Sequence, residues 1–460
     1  MEFVFQRHLC RIRSLSGLIK INKYRVQAFG GSRGMVFIGL KLPRVYMRSS
    51  TLFYSLFLCS VGFAQQPAPI RKPKQQQTKP LAGTSQKFNV SGYIQTQYQW
   101  GEKAAELRVG TPNENREAPF ERFGIRRGRI KLSYEYDIVS AIFQPDITEK
   151  GVKIKDAFLN IKDPWLGISA LRIGVFNRPF GHEIAYSSAL RESPERSIIF
   201  RTLFPEERDV GAQLTLQPPK ISAWNFLKLE AGLFWGNGIQ YETDSHKDFI
   251  GHLSVDKAID RGAKLGFGLS YYHGGVYQGT ENIYAMRDRG FSLNNHISNK
   301  GAFAKREYVG LDGQFSIITG LGMTKVRAEY LFGTQPGIQS NSKSPNESEL
   351  SSKDTYMRSF SGGYVILVQD FGKSSFSGLL KYDWYDPNTE VFENEIGLSK
   401  TGKGDITRSA FGFGLVWRAT KSLRLQTYYE VNNNETTSKL ISHMYDIQDD
   451  VFTLRLQYKF

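Results

Sequence analysis

Three basic residues spaced two apart, Arg127, Arg129 and Lys131, are the part of this chain best placed to do chemistry. A strand turns successive side chains to opposite faces, so these three share a face with Ser133. Ile130, Leu132, Tyr134 and Tyr136 share the other face. A basic column of this kind raises the local concentration of anions beside a narrow aqueous path. A lysine or arginine at the middle of a bilayer costs about 2–4 kcal/mol. If the strand crosses a membrane, the basic face must therefore be the wet one. Arg126 is out of phase with the column and is expected at a rim or in a bulge. Other chemistries find little support. Cys10 and Cys59 both lie near the amino terminus, so the rest of the chain has no thiol for catalysis, disulfides or metal binding. His182, His246, His252, His273, His296 and His443 are scattered, and no nucleophile motif accompanies them. Neither an enzyme nor a cofactor is expected.

The elements that must position the column repeat one theme from Phe88 onward. Sixteen alternating segments are predicted as strands: 88–100, 122–136, 138–146, 152–162, 169–177, 208–217, 225–236, 248–256, 262–273, 306–318, 322–333, 357–369, 374–386, 405–418, 421–432 and 448–460. Short connections alternate with long polar ones at roughly 101–121, 178–207, 237–247, 274–305, 334–356, 387–404 and 433–447. Only the link at 147–151 is short where a long one is due. The last strand puts Phe452, Leu454, Leu456, Tyr458 and Phe460 on one face and Thr453, Arg455, Gln457 and Lys459 on the other. The six tryptophans fall at or near strand ends, as in an interfacial girdle. The expected fold is all-β: a transmembrane antiparallel β-barrel of about sixteen strands, apolar outside and polar inside. Closure is required, because a backbone N–H or C=O in lipid has no partner but the next strand. Sixteen strands leave room for an aqueous channel.

The mean hydropathy of −0.37 agrees, since half of each strand faces water, and no apolar run is long enough for a membrane helix. The formal charge of +16 is uneven. Residues 1–46 carry +8, residues 47–80 carry +5, and only +3 remains for 81–460, so no nucleic-acid partner is expected. Met47 and Arg48, the apolar run 51–64 and the small residues flanking Phe63 read as a signal peptide spanning 47–64, with cleavage after Ala64. Residues 1–46 read as an upstream extension from a start assigned too early. Residues 65–87 are rich in Pro, Gln and Lys and read as a disordered periplasmic linker, leaving 88–460 as the barrel. The expected location is the bacterial outer membrane, with outer-membrane lipid and lipopolysaccharide around the barrel. Phe460 ends the last strand and is expected to engage the barrel-assembly machinery.

Several motifs occur in a set order: Phe123-Gly-Ile-Arg126-Arg127-Gly-Arg129-Ile-Lys131, Ile154-Lys-Asp156-Ala-Phe158, Leu171-Arg-Ile-Gly174-Val-Phe176-Asn-Arg-Pro179-Phe180-Gly181, Glu195-Arg196-Ser197 and Arg208-Asp209-Val-Gly211-Ala-Gln213. Together they resemble the phosphate-selective porin O and P family over roughly 88–460, most strongly from 122 to 216. The resemblance implies a sixteen-stranded, homotrimeric outer-membrane channel whose loop after the fifth strand folds inward as the constriction. It also implies that Arg126 and Arg127 match the family's wall arginines and Asp156 its aspartate.

Strand phase puts fifteen bases against nine acids on the inner wall, a modest basic excess. The segment 178–207 carries apolar Ile198, Ile199, Phe200, Leu203 and Phe204, too many for a loop in water, so it should lie against something. From Arg178 to Asp209 there are five arginines, six acids and no lysine. The candidate anion path is Arg126, Arg127, Arg129, Lys131, Asp156, Arg172, Arg178, Arg191, Arg196 and Arg208. The expected function is a porin, a water-filled channel for small polar solutes with mild anion preference. A phosphate- or polyphosphate-selective channel remains open; the missing loop lysines count against it. A closed barrel serving adhesion through the loops 274–305 and 334–356 also remains open.

Overall fold

The computed structural model describes residues 86–242, 244–344 and 352–460. The readings for the upstream extension, the signal peptide and all but the last two residues of the linker fall outside these residues. Eighteen strands are present among the described residues. They are β1 (Lys87–Gly101), β2 (Phe120–Tyr136), β3 (Val139–Thr148), β4 (Gly151–Lys162), β5 (Ser169–Asn177), β6 (Arg208–Leu216), β7 (Leu227–Phe234), β8 (Asp248–Asp260) and β9 (Ala263–Tyr277). Next come β10 (Asn282–Arg287), β11 (Gly290–Asn295), β12 (Phe303–Thr319), β13 (Gly322–Gly337) and β14 (Thr355–Asp370). The last four are β15 (Phe376–Asp386), β16 (Arg408–Arg418), β17 (Leu423–Asn434) and β18 (Val451–Lys459).

Sixteen of these close a ring. Each pairs antiparallel with its sequence neighbour, β9 passes directly to β12, and β18 returns to β1 from Tyr93↔Lys459 to Gly101↔Val451. Beyond the last paired strand residue, Phe460 and Gly92 exchange two backbone hydrogen bonds of 3.0 and 3.1 Å, so the ladder runs to the chain end. All sixteen expected strands are found. The link between β3 and β4 is a two-residue turn, Glu149-Lys150.

The extra pair, β10 and β11, is a hairpin inside what reads in sequence as a long polar loop. Its strands are six residues each, too short to span a bilayer, and its turn is Asp288-Arg289, with φ of 51° and 63°. Asn-Gly or Asp-Gly is the usual signal for such a turn, and it is missing here. The hairpin docks on β14 through a short parallel pairing at Ile283↔Thr355.

The two faces of the ring differ as period two requires. Ile130, Phe143, Leu159, Ile173, Leu253, Phe267, Leu380, Leu415 and Leu456 all point outward and are exposed. Their inward neighbours Arg127, Arg129, His252, Lys381, Asp383 and Arg455 are buried inside the ring. An apolar band of this extent needs an apolar surrounding, as a bilayer provides.

Two bulges shape the inner wall. The β1–β2 register shifts at Gln95/Thr96 and leaves Arg126 without a partner residue, so of the two places expected for Arg126 it occupies a bulge. The β3–β4 register shifts at Gln144/Pro145 and does the same for Lys155. Pro145 has no N–H to give to a ladder, which favours the interruption there.

Candidate functional site: a loop held inside the ring

The connection 178–207 between β5 and β6 holds two short helices, α1 (Gly181–Ala185) and α2 (Ile198–Leu203). Two thirds of it is buried. Its partners are inward-facing side chains from β1, β2, β9, β12, β13, β14, β15, β17 and β18, so the loop lies within the ring.

Each helix starts on a carboxylate of the wall. Glu329 of β13 accepts the backbone N–H of His182 at 3.0 Å and that of Glu183 at 2.5 Å. Asp383 of β15 accepts the N–H of Ile198 at 3.0 Å. The first N–H groups of a helix have no partner within it and carry partial positive charge, so a carboxylate is the fitting cap. Gly181 has φ +63°, and a Cβ there would lie 2.2 Å from the Glu329 carboxylate. Only glycine lets the chain come this close in this conformation.

One flank of the loop is apolar. Ile198, Ile199, Phe200, Leu203 and Phe204 join one buried cluster with Tyr272, Tyr308, Phe360, Tyr364 and Tyr385. Ring centroids of Phe204 lie 5.8 Å from Tyr308, 6.1 Å from Tyr272 and 4.9 Å from Phe180. These wall aromatics are what the loop's apolar residues lie against.

The other flank is polar. Tyr93 and Ser188 hydroxyls meet at 2.7 Å, and Arg129 donates to Ser188 at 3.0 Å. Gln457 donates to the Ala189 carbonyl, and Gln426 to the carbonyls of Arg191 and Glu192. Arg327 pairs with Glu192 at 2.5 Å and stacks over Tyr186. At the centre sits Glu195. Its carboxylate takes two N–H bonds from Arg126 at 2.9 Å, one from Arg127 at 2.9 Å and one from Arg455 at 2.7 Å. Burial pushes the Glu195 carboxyl up, but the guanidiniums of Arg126, Arg127 and Arg455 override it and hold the group well below the usual carboxylate range. Glu207 is likewise held low against its burial by Arg196, Arg208 and Lys155.

The remaining sequence candidates are placed as follows. Arg129 pairs with Asp146 at 3.0 Å. Lys131 is half-buried on the inner face and makes no ion pair with the described residues. Arg172 lies over the rings of Phe158 and Phe176. Arg178 is buried against Asp209 at 3.0 Å. Arg196 bonds the carbonyls of Glu183 and Ile184 and the Glu207 carboxylate. Arg208 bridges Asp156 at 3.1 Å and Glu207 at 2.8 Å. Arg191 is buried, and none of its three guanidinium nitrogens has an acceptor. Most of the candidates therefore gather on or beside the loop, tied to acids. Among the described residues, no group of three or more His, Cys, Asp or Glu could hold a metal ion.

Sequence reasoning left out Glu195 and Arg455 as site residues, although both stood in segments it had singled out. It also passed over the column Gln95, Gln97 and Gln99, whose period-two spacing was visible and whose side chains now line the inner wall.

Cavities open on both sides of the loop. On the long-loop side, a space of about 140 Å³ is lined by Arg108, Arg201, Lys343 and Arg408 facing Glu106, Glu430 and Asp449. A smaller space of about 30 Å³ shares Glu106, Arg108, Arg201 and Glu430 with it and reaches Glu195. On the short-turn side, a chamber of about 460 Å³ is lined by His182, Tyr186, Lys228, Glu230, His252, Asp256, Lys264, Asp312, Lys325 and Arg327.

No family model matches the sequence, and no curated protein matches it. Solved structures do resemble its fold. The outer-membrane channel DcaP of Acinetobacter baumannii superposes with a TM-score of 0.50 at 13% identity, over 83% of this chain and 99% of DcaP. OmpF of Salmonella typhi, in complex with daunomycin, gives 0.49 at 11% identity over 81% and 97%. OmpT of Vibrio cholerae, an outer-membrane protein in a trimer form, gives 0.47 at 8% identity over 82% and 100%. The chain shares its closed-barrel fold with the DcaP channel.

Proposed function

We propose that this protein is an outer-membrane porin, a water-filled channel for passive diffusion of small polar solutes with a mild anion preference. The observation that carries the reading is the closed ring with an ionised inner wall and a loop lodged inside it, with cavities on either side. An inner wall carrying this many charges suits a lumen that water enters, since taking charges out of water is costly. The loop narrows the lumen and acts as its constriction. Charges of both signs face each other there, which orients polar solutes as they pass. The basic excess on the wall favours anions. Export by a signal peptide at 47–64, assembly through Phe460, a surrounding of outer-membrane lipid and lipopolysaccharide, and association as a homotrimer belong to the same reading. The wall's Arg126 and Arg127 are already tied to Glu195, and the loop's Arg178 and Arg196 to Asp209 and Glu207, which favours a general pore over a phosphate-selective one.

Liposome swelling tests the reading. Vesicles holding the purified protein should admit small sugars and amino acids quickly and larger oligosaccharides slowly. Vesicles as tight as protein-free controls would refute it and favour a closed barrel with an adhesive surface.

A further inference from the structure

Glu195 has more cationic partners than any carboxylate needs for its own stability. A carboxylate offers about four lone-pair sites. Here all four are taken by guanidinium N–H groups, from Arg126, Arg127 and Arg455. The bidentate contact from Arg126 is the fork geometry by which arginine takes up a carboxylate or a phosphate alike. Three cations face one anion, so the cradle keeps an excess of positive charge. The unpaired guanidinium of Arg191 lies near enough to Arg127 and Glu195 to feel both.

The three arginines have anchors on the wall besides Glu195, although Arg455 also donates to the loop's Pro194 carbonyl at 2.6 Å. Arg126 is set by the bulge opposite Gln95/Thr96, Arg127 donates to Gln95 at 2.9 Å, and Arg455 donates to Gln97 at 2.7 Å. Glu195, by contrast, arrives on a loop, between Pro194 and the start of α2. It also borders the small space that joins the long-loop cavity, whose walls carry Arg108, Arg201, Lys343 and Arg408. Those four bases face Glu106, Glu430 and Asp449, which leaves a small basic excess beside the cradle that Glu195 already fills.

We propose that Glu195 is a tethered competitor: it occupies a three-arginine oxyanion site on the barrel wall and so keeps the channel general rather than oxyanion-binding. The proposal deepens the channel reading and rests on it for its meaning in transport. The ligand class is a small oxyanion, carboxylate or phosphate, with the bidentate geometry of Glu195 itself.

The test compares the purified full-length protein with Glu195→Gln, a nearly isosteric change, each first checked for heat-modifiable migration as a folded barrel. Inorganic phosphate and acetate are titrated in two ways. In planar bilayers they compete against a chloride current. In detergent their binding is measured by calorimetry, which needs no conduction. Removing one charge-assisted competitor should lower the half-blocking phosphate concentration by about tenfold, and a binding heat should emerge that the parent lacks. Phosphate favoured over acetate would identify the site's preferred oxyanion as the dianion; equal action would identify it as any bidentate oxyanion. If both folded proteins respond alike to both anions, or to neither, the proposal is wrong. If neither protein conducts but the variant alone binds, the channel reading fails and the assignment of Glu195 stands. Should Glu195→Gln not assemble, Glu195→Asp replaces it, with the charge on a tether one methylene shorter. A smaller gain in oxyanion binding is then expected, and no gain overturns the proposal.

Discussion

Within the ring, the loop 178–207 meets two unlike walls. Against β9, β12, β14 and β15 it presents Phe200, Leu203 and Phe204 to tyrosines and Phe360, and the contact is dry. Against β1, β2, β17 and β18 it presents Ser188, Glu192, Glu195 and backbone carbonyls to arginines and glutamines. The apolar wall gains from burial alone, at roughly 25 cal/mol per Å² of apolar surface, and does not respond to salt. The ionic wall fixes where each atom sits but gains little net energy, because both partners lose hydration. The difference separates two tasks. The aromatic wall keeps the loop inside the ring, and the ionic wall sets what charge a passing solute meets. Gly412 shows how far the fit extends near the aromatic side: a Cβ there would lie 1.7 Å from the Tyr428 hydroxyl, whose ring belongs to the same apolar cluster.

The contrast can be broken most strongly on the aromatic side. Phe204→Ala empties a site that touches Phe180, Tyr272 and Tyr308. The loss should be about 3–5 kcal/mol, enough to free the loop while the barrel's backbone ladder stays closed. Limited proteolysis should then cut near 195–205 in a barrel that still runs as folded, and conductance should rise. An uncut loop would mean the ionic wall holds it alone.

The contrast between inside and outside comes next. Leu132→Arg puts a charge on the lipid face and should destabilise the barrel by about 2–4 kcal/mol if the site is near mid-depth. Arg127→Glu with Arg129→Glu sets new carboxylates against Glu195 and Asp146, so it should loosen the loop's polar flank, and in barrels that still assemble it should lower the anion-to-cation permeability ratio. Urea or thermal unfolding gives the first result and reversal potentials the second. A harmless Leu132→Arg would mean that the face assignment of β2 is wrong.

The helix caps are a smaller lever. Asp383→Asn removes the carboxylate from the start of α2 and should cost about 1 kcal/mol of loop docking. It should show as faster amide exchange at Ile198 and Ile199, with a modest fall in the barrel's melting temperature because the buried Lys381 loses its partner carboxylate. Equal exchange in both proteins would leave the aromatic contacts as the sole anchor of α2.

The smallest effect expected is that of mild acid. Glu195 is held below its unfolded value of about 4.3, so its contribution is complete above that value and is lost only as pH falls through the lower folded one. The Glu195 cradle should therefore contribute a constant selectivity from neutral pH down to about 5, apart from what Asp449 adds in the long-loop cavity, where burial pushes its carboxyl up to about 6. A shift within that range would mean that other carboxylates set the selectivity.

How much of this was legible in the sequence depends on the distance between partners. The strand faces are local, carried by pairs two residues apart, and all sixteen ring strands follow from them. The displaced phase of Arg126 was local too, and it ends in a bulge. The hairpin β10–β11 was hidden by its short strands and its Asp288-Arg289 turn. The arrangement of the loop was the least legible part. Its apolar residues predicted a surface to lie against, but not which one. The partners of Glu195 stand at 126, 127 and 455, and no periodicity links a loop carboxylate to an arginine on the closing strand. Closure of the ring brings them together, and closure is a property of the whole sheet.

The most direct test of the account is the current through single molecules of the purified protein in a planar bilayer, with reversal potentials read across a chloride gradient. The account predicts stepwise open-channel conductance that grows with salt, with a reversal potential displaced modestly toward that of chloride. Bilayers that stay silent with demonstrably inserted, folded protein would contradict it, and so would a cation-selective current.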